Sequence, residues 1–240
     1  MKVSIVIPTY NERENIGELI PEIFEVFGEN RINGNLIVID DNSPDGTSRE
    51  VEKLRDRYPI VLIKREQKLG IGSAYITGFR KAMDLNSDII FEMDADFSHD
   101  PRYTLEFIKS LNDSDIVLGS RYIRGGKVEN WSLWRKMVSK GANILARILL
   151  GLKVNDITTG YRAYRKEVLQ EIDLDKIKSN GYGFQAEILL RVKGKGFKVK
   201  EIPITFIDRR GGKSKLSKIE IIDFFTFCVG RGIRRLIHLE

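Results

Sequence analysis

Five short apolar runs recur along the first half of the chain: Val3-Ser4-Ile5-Val6-Ile7, Leu36-Ile37-Val38-Ile39, Ile60 to Ile63, Asp88 to Met93 and Ile116-Val117-Leu118. The first is apolar on both alternating faces apart from Ser4, so as a strand it must be covered on both sides. Helical spacing fills the gaps, as in Ile16, Leu19, Ile20, Ile23, Phe24 and Phe27. Strands alternating with helices dictate an α/β fold with a mostly parallel, doubly wound sheet. Such sheets bind ligands at the carboxyl edge of their strands. Three of the runs stop there in polar or acidic residues. Pro8-Thr9-Tyr10-Asn11-Glu12 follows the first, Asp40-Asp41-Asn42-Ser43-Pro44-Asp45-Gly46-Thr47 the second, and Asp94-Ala95-Asp96 the fourth.

The carboxylates of Asp94 and Asp96 stand two residues apart at that edge, before Pro101 opens a helix. Like charges disfavour each other's ionisation. A hard divalent cation, Mg2+ or Mn2+, removes that penalty, and a diphosphate supplies the remaining oxygen ligands. A solvated turn capping the helix after Pro101 uses the same residues, so the pair alone does not decide between the two. A dinucleotide fold is disfavoured: Gly70-Ile71-Gly72 lacks a third glycine and does not follow the first strand.

At 240 residues the chain is ample for a sizeable core. Its one cysteine, Cys228, excludes an internal disulfide and suits a reducing compartment. Met1-Lys2 runs directly into a strand pattern, with no signal peptide legible. No apolar run approaches the roughly 20 residues of a spanning helix. The net charge of +6 is unevenly placed. Residues 191–240 carry 13 Lys/Arg against 5 Asp/Glu, a net +8, while residues 1–190 sum to −2. A basic end on a near-neutral body suits an anionic surface or substrate. No nucleic-acid-binding motif accompanies it.

Beyond Tyr122 the rhythm changes. Residues 123–152 are basic with an apolar helical run, Ala142 to Leu152. Thr158 to Tyr164 reads as a strand, Phe184 to Val192 as a helix, and Val199 to Ile207 as an edge strand interrupted by Pro203. Arg209-Arg210-Gly211-Gly212-Lys213-Ser214-Lys215 is a cationic loop. An amphipathic helix then begins at Ser217, with Ile221, Ile222, Phe225, Cys228 and Val229 on one stripe, followed by Arg231, Arg234 and Arg235. The reading is therefore an α/β domain over 1–216 and an amphipathic helix suited to an interface over 217–240.

Five motifs occur in order: Pro8-Thr9-Tyr10-Asn11-Glu12, Asp40 to Thr47, Asp94-Ala95-Asp96, Gly119-Ser120-Arg121-Tyr122, and Arg209…Ser214-Lys215-Leu216. Together they resemble family 2 glycosyltransferases of the GT-A fold, specifically dolichol-phosphate mannose synthases. The resemblance covers nearly the whole chain. It implies transfer of mannose from GDP-mannose to a polyprenyl (dolichyl) phosphate, with inversion, at the cytoplasmic face of a membrane. It also implies peripheral attachment, through an interfacial surface or a small membrane-anchoring partner subunit. UDP-sugar transfer of glucose or N-acetylglucosamine on the same fold is the nearest rival. A non-catalytic nucleotide-sugar-binding scaffold is another. A processive polysaccharide synthase is disfavoured by the lack of Gln-x-x-Arg-Trp.

The resemblance places Pro8, Tyr10, Glu12, Ile39 and Asp41 around the nucleoside. A carboxylate at Asp41 can accept two N–H bonds from the N1 and N2 edge of guanine. Asp94, Ala95 and Asp96 would face ribose and metal, with Asp96 the stronger ligand. Ser98 stands where some relatives place Gln and would be the third metal ligand. Arg121, Arg209 and Lys215 add charge around the phosphates, where the planar fork of Arg matches phosphate oxygens. Arg135, in Trp131-Ser132-Leu133-Trp134-Arg135-Lys136, is the candidate acceptor-phosphate residue alongside Arg121. Asp96, Arg121 and Arg135 are the expected catalytic set. A lipid phosphate is already anionic, so no strong general base is required, and neither His99 nor His238 is placed like one. Trp131 and Trp134 fit either a lipid interface or the core, and Asp45 is expected to be structural.

Overall fold

The computed structural model describes residues 1–209 and 218–237. The first half builds β1 (Lys2–Thr9), α1 (Arg13–Glu29), β2 (Asn33–Asp40), α2 (Thr47–Leu54), β3 (Ile60–Lys64), α3 (Ile71–Asp84), β4 (Ile89–Glu92), α4 (Thr104–Ser110) and β5 (Ile116–Ser120). The second half adds β6 (Lys127–Glu129), α5 (Leu133–Leu150), β7 (Arg162–Arg165), α6 (Lys166–Glu171), α7 (Gly181–Gly194), β8 (Val199–Pro203), β9 (Thr205–Ile207) and α8 (Lys218–Leu236).

Seven strands form one sheet in the order β3-β2-β1-β4-β7-β5-β8. All pair in parallel except β7, which runs antiparallel to both β4 and β5. The alternation of strand residues makes two apolar layers. Ile5, Ile7, Leu36, Val38 and Phe91 pack with α1, α2 and α4 on one face. Val6, Ile37, Ile39 and Ile90 pack with α3 and α7 on the other. Gly78 permits the close approach of α3 to β1, since a Cβ there would overlap Val6.

The span read as one strand from Val199 to Ile207 divides at Pro203. Its first half, β8, is the sheet edge, and its second half, β9, pairs with β6 in a separate two-stranded sheet. Proline supplies no N–H for a further ladder bond. The strand expected over Thr158–Tyr164 begins only at Arg162, and residues before it form a loop.

The C-terminal helix is present, but its predicted stripe is rotated. Phe224 and Cys228 are buried against α7 and α5, while Ile222, Val229 and Ile233 remain exposed. The two glycines flanking Arg231 therefore do not break the helix. Gly232 lies against Leu149 of α5, and Arg235 donates to the Ile148 carbonyl at 3.3 Å, where Gly151 ends α5 in a left-handed conformation.

Burial pushes the Cys228 thiol up to about 12. Thiolate, the reactive form, is then on the order of 10⁻⁴ of the total at pH 8. A thiol-reactive dye should label native protein at least 100-fold more slowly than protein in denaturant. Labelling at equal rates in the two states would show that α8 is not docked as described.

Candidate active site

Strands β1, β2 and β4 end side by side, and the loops leaving them converge on a cavity of about 270 Å3. Pro8, Tyr10, Glu12, Asp41, Asp94, Ala95, Asp96 and Arg209 all line it. Motifs scattered over 200 residues of sequence thus face one space. Ile39 does not reach it: the side chain is completely buried in the core and offers no surface to a ligand. Arg121, Arg135 and Ser98 do not line this cavity either. Lys215 lies outside the described residues.

Asp40, not Asp41, organises the loop after β2. Its carboxylate accepts from Thr9 Oγ1, Ser43 Oγ, the Ser43 N–H and Ser48 Oγ. Asp45 accepts from Thr47, the first residue of α2, and from the Arg13 N–H, the structural role expected of it. Asp41 is left at the cavity wall, paired with Arg65 through Oδ1 and with the Leu69 N–H through Oδ2 at 3.3 Å. A carboxylate has about four lone-pair sites, so room for a base edge remains. Arg65 also donates to Ser73 Oγ and to the Gly70 carbonyl, which anchors the loop between β3 and α3. From that loop Lys68 places its ammonium 4.5 Å from the Tyr10 ring centroid.

Past β4 the backbone is held in an uncommon shape. Phe97 sits at φ +64°, a left-handed conformation that an ordinary L residue enters only at a cost of about 1 kcal/mol. Ser98, buried by this turn, donates to Asp96 Oδ1 from its hydroxyl at 2.6 Å and from its N–H at 3.2 Å. Asp96 Oδ2 lies 3.3 Å from the Arg209 guanidinium. His99 accepts the Asp94 N–H on Nδ1 at 3.0 Å, which puts its own proton on Nε2. Its ring is buried, stacked on Tyr161 with centroids 4.9 Å apart, and burial pulls its pKa below the usual range. It is a brace for the acid loop. Burial, with the Asp96 charge adding to it, pushes the Asp94 carboxyl above its ordinary range, although the neighbouring His99 and Arg209 oppose this.

Two carboxylates this close, one of them desolvated, gain from a proton or a cation held between them. Among the described residues no cluster of three or more His, Cys, Asp or Glu surrounds them. A divalent ion held by two carboxylates would take its remaining oxygens from water or a bound diphosphate, as Mg2+ and Mn2+ do. As placed here, the Ser98 hydroxyl supports Asp96.

Arg121 is buried and clamped. Nε and Nη2 bond to the two oxygens of Asp156 at 2.7 Å each, and Nη2 also reaches Thr158 Oγ1 at 2.8 Å. Burial opposes the charge, but Asp156 outweighs it and holds the guanidinium firmly protonated. Its carbon lies 5.2 to 5.7 Å from the rings of Tyr122, Trp131 and Phe206. Arg135 stacks on the same Trp131 at 3.9 Å and pairs with Asp208 at 2.9 Å. The two arginines expected to act together thus share one indole face region. Trp131 belongs to this cluster, whereas Trp134 is exposed.

The chain matches the family model for Glycosyl transferase family 2 over residues 4–173. It belongs to glycosyl transferase family 2. Among its relatives is an undecaprenyl-phosphate mannosyltransferase of Micrococcus luteus, 42% identical over 90% of this chain and 88% of that one. A polyprenol monophosphomannose synthase of Mycolicibacterium smegmatis is 41% identical, covering 96% of this chain and 86% of that one. A dolichol-phosphate mannosyltransferase of Pyrococcus furiosus is also 41% identical; it matches this chain end to end, which spans 65% of its length. Among solved structures, glucosyl-3-phosphoglycerate synthase of Mycobacterium tuberculosis aligns with a TM-score of 0.70 at 19% identity, over 95% of this chain and 80% of that one. A second structure of that protein, holding Mn2+, uridine diphosphate and phosphoglyceric acid, aligns at 0.69, again at 19% identity and over 95% of this chain and 78% of that one. These neighbours establish the GT-A fold for this family 2 glycosyltransferase.

The sequence reading missed Lys68, Thr158, Gly160, Gly181, Tyr182 and Gln185, all of which line the cavity. The last three come from the start of α7. No local signal marks them, because β7 and α7 reach the acids only through tertiary pairing.

Removing Asp156 tests the clamp on Arg121. Asp156→Ala leaves a buried guanidinium unpaired and should cost about 3–5 kcal/mol of unfolding free energy. The double replacement Arg121→Met, Asp156→Leu should recover most of that loss in urea denaturation. A double variant no more stable than Asp156→Ala would show that the pair is not an isolated electrostatic unit.

Proposed function

We propose that this family 2 glycosyltransferase transfers mannose, with inversion, from GDP-mannose to a polyprenyl phosphate at a membrane surface. One observation carries the reading. The acid pair Asp94 and Asp96 shares a single cavity with Tyr10 and Asp41, in a chain 41–42% identical to three proteins named for polyprenyl-phosphate mannosyl transfer.

In this reading the base lies against Tyr10 and Asp41, and the diphosphate lies by Asp94, Asp96 and Arg209. The acid pair would hold Mg2+ or Mn2+, whose charge stabilises the departing diphosphate. Arg121 and Arg135 would hold the acceptor phosphate. One of its oxygens forms the new bond to the anomeric carbon as the bond from that carbon to the diphosphate breaks, and the electron pair leaves with GDP. A phosphate monoester is ionised at neutral pH, so no proton has to be removed. This agrees with a site whose one nearby histidine is committed to a backbone N–H. Catalysis is then positioning and charge complementarity. The ion pair of Arg209 with Asp96 must give way when donor binds, freeing Arg209 for phosphate oxygens.

The surface where this would occur lies on α5. Leu133, Trp134, Met137, Val138, Ile144, Leu145 and Ile148 are exposed along one face of that helix. Ile222, Val229 and Ile233 of the adjoining α8 are exposed as well. Lys140, Arg147, Arg234 and Arg235 are exposed on the same helices. No helix among the described residues is long and apolar enough to cross a membrane. An apolar face with basic flanks suits insertion at the interface of an anionic bilayer. The docked face of α8 makes α5 the main anchor, a revision of the expectation that placed it at residues 217–240. We assign the surface to the cytoplasmic leaflet, in keeping with the single unpaired thiol.

Calorimetry should show GDP-mannose binding in the presence of Mn2+ and none of comparable strength for UDP-glucose or UDP-N-acetylglucosamine. Asp96→Asn should bind GDP-mannose weakly and lose at least 100-fold in transfer, and EDTA should do the same to the wild type. Tighter UDP-sugar binding, or full activity in EDTA, would reverse the assignment.

The membrane reading has its own test. Trp134→Glu with Met137→Glu replaces two exposed apolar side chains, each worth about 1.5–3 kcal/mol when buried. The variant should keep its thermal stability and GDP-mannose affinity, yet lose co-sedimentation with anionic liposomes by at least tenfold. Unchanged co-sedimentation would move the anchor elsewhere.

A further inference from the structure

The cavity has a sequence of chemistries along it. In the donor-site reading Tyr10, Asp41 and Lys68 take the base and Asp94 with Asp96 the diphosphate, and all five line the cavity. Thr158, Gly160, Tyr182 and Gln185 complete the wall. A nucleotide bound in that sense must set its transferred sugar against this remaining group.

Gln185 differs from its neighbours there. It is 5% exposed, and its amide nitrogen donates to Glu92 Oε2 at 2.7 Å. Glu92 is wholly buried and accepts the Tyr164 hydroxyl on Oε1 at 2.6 Å. Both contacts of this carboxylate are donors, which fixes the Gln185 amide with its NH2 toward Glu92. The amide carbonyl, Oε1, is buried and has no partner among the described residues. Buried carbonyl oxygens nearly always have one.

A missing partner for a carbonyl oxygen is a hydrogen-bond donor or a cation. A diphosphate and an ionised acceptor phosphate are neither, and in the donor-site reading the cation is taken by Asp94 and Asp96 and the base by Tyr10 and Asp41. The hydroxyls of the nucleotide sugar remain. We infer that Gln185 Oε1 accepts a hydrogen bond from a hydroxyl of the transferred sugar, with Glu92 as the residue that orients the amide. Gln185 is then a specificity-determining residue. The inference rests on the reading of this cavity as a sugar-nucleotide donor site, and it holds for whichever sugar is bound.

The test is a scan of GDP-mannose against its 2-, 3-, 4- and 6-deoxy analogues, with full-length wild type and Gln185→Met. Wild type should lose about tenfold in kcat/KM on one deoxy donor. Gln185→Met should lose a similar factor on the natural donor and nothing further on that same analogue, the non-additivity of a direct contact. Its affinity for GDP alone, which carries the ribose but no transferred sugar, should stay within twofold of wild type. Gln185→Glu keeps an oxygen at the position; if methionine unfolds the chain, this variant should retain the wild-type sensitivity to that hydroxyl. Equal losses on every donor, or a matching loss in GDP affinity, would overturn the inference and make Gln185 structural. Should the wild type instead take UDP-sugars, the mannose reading fails separately, and the deoxy scan on that UDP-sugar still decides the role of Gln185.

Discussion

A single buried guanidinium ties α7 to the loop before β7. Arg162 has no exposed surface, and its nitrogens donate to three backbone carbonyls: Thr159 at 2.9 Å, Gln185 at 3.0 Å and Ile157 at 2.6 Å. Those carbonyls belong to the loop before β7 and to α7, the segments that close the cavity opposite the acids. Glu92, fully buried nearby with its pKa pushed up to about 6 by burial, supplies the compensating charge. An unpaired buried arginine would be very costly. Here each partner is also a positional constraint, because a planar fork accepts its acceptors in few geometries. Glycine 160, Thr158 and Gln185 are where they are because Arg162 is where it is.

The part of the cavity read as a nucleotide site was legible because it is local. Each of β1, β2 and β4 carries its cavity-lining residues within a few positions of its own carboxyl end, so strand order alone brings them together. The resemblance carried by five ordered motifs added the chemistry. What stayed hidden depends on pairing across the chain. Ile39 alternates inward in a strand buried on both faces, a fact that the motif around Asp41 does not reveal. The stripe assigned to the last helix counted Phe225 and not Phe224. A shift of one residue turns a helix by about 100°, enough to exchange the docked face for the exposed one. The apolar face of α5 could not be told from a core helix, since periodicity shows that a face exists but not what covers it.

Charge in the site forms a relay of pairs and not a simple patch. Arg135 pairs with Asp208, the neighbour of Arg209, and Arg209 reaches Asp96. Arg121 meanwhile is saturated on two nitrogens by Asp156 and Thr158, which in turn meet Asn143 of α5 through Thr158 Oγ1 at 3.1 Å. Positions ascribed to donor and acceptor are thus connected through few intermediates. Like cations are kept apart by interposed carboxylates, and each arginine has a defined resting partner. In the proposed reaction a substrate phosphate would exchange one anionic partner for another, at smaller reorganisation than stripping a guanidinium of water.

The antiparallel strand has a bearing on how the polypeptide assembles at the ribosome. β4 lies between β1 and β7, not beside β5, although β5 follows it directly in the chain. When the first 120 residues have emerged, the strand bearing the acids has one edge open and its eventual neighbour is still unmade. The simplest completion at that stage is a parallel β4–β5 ladder, the ordinary outcome of a strand, helix and strand in succession. The native arrangement requires that this slot stay vacant, or be vacated, until Arg162 to Arg165 arrive. During synthesis the edge of β4 is thus open to β5 before β7 exists. The acid loop completes its packing only when the segment before β7 arrives, since His99 stacks on Tyr161 and the Tyr161 hydroxyl donates to the Asp100 carbonyl.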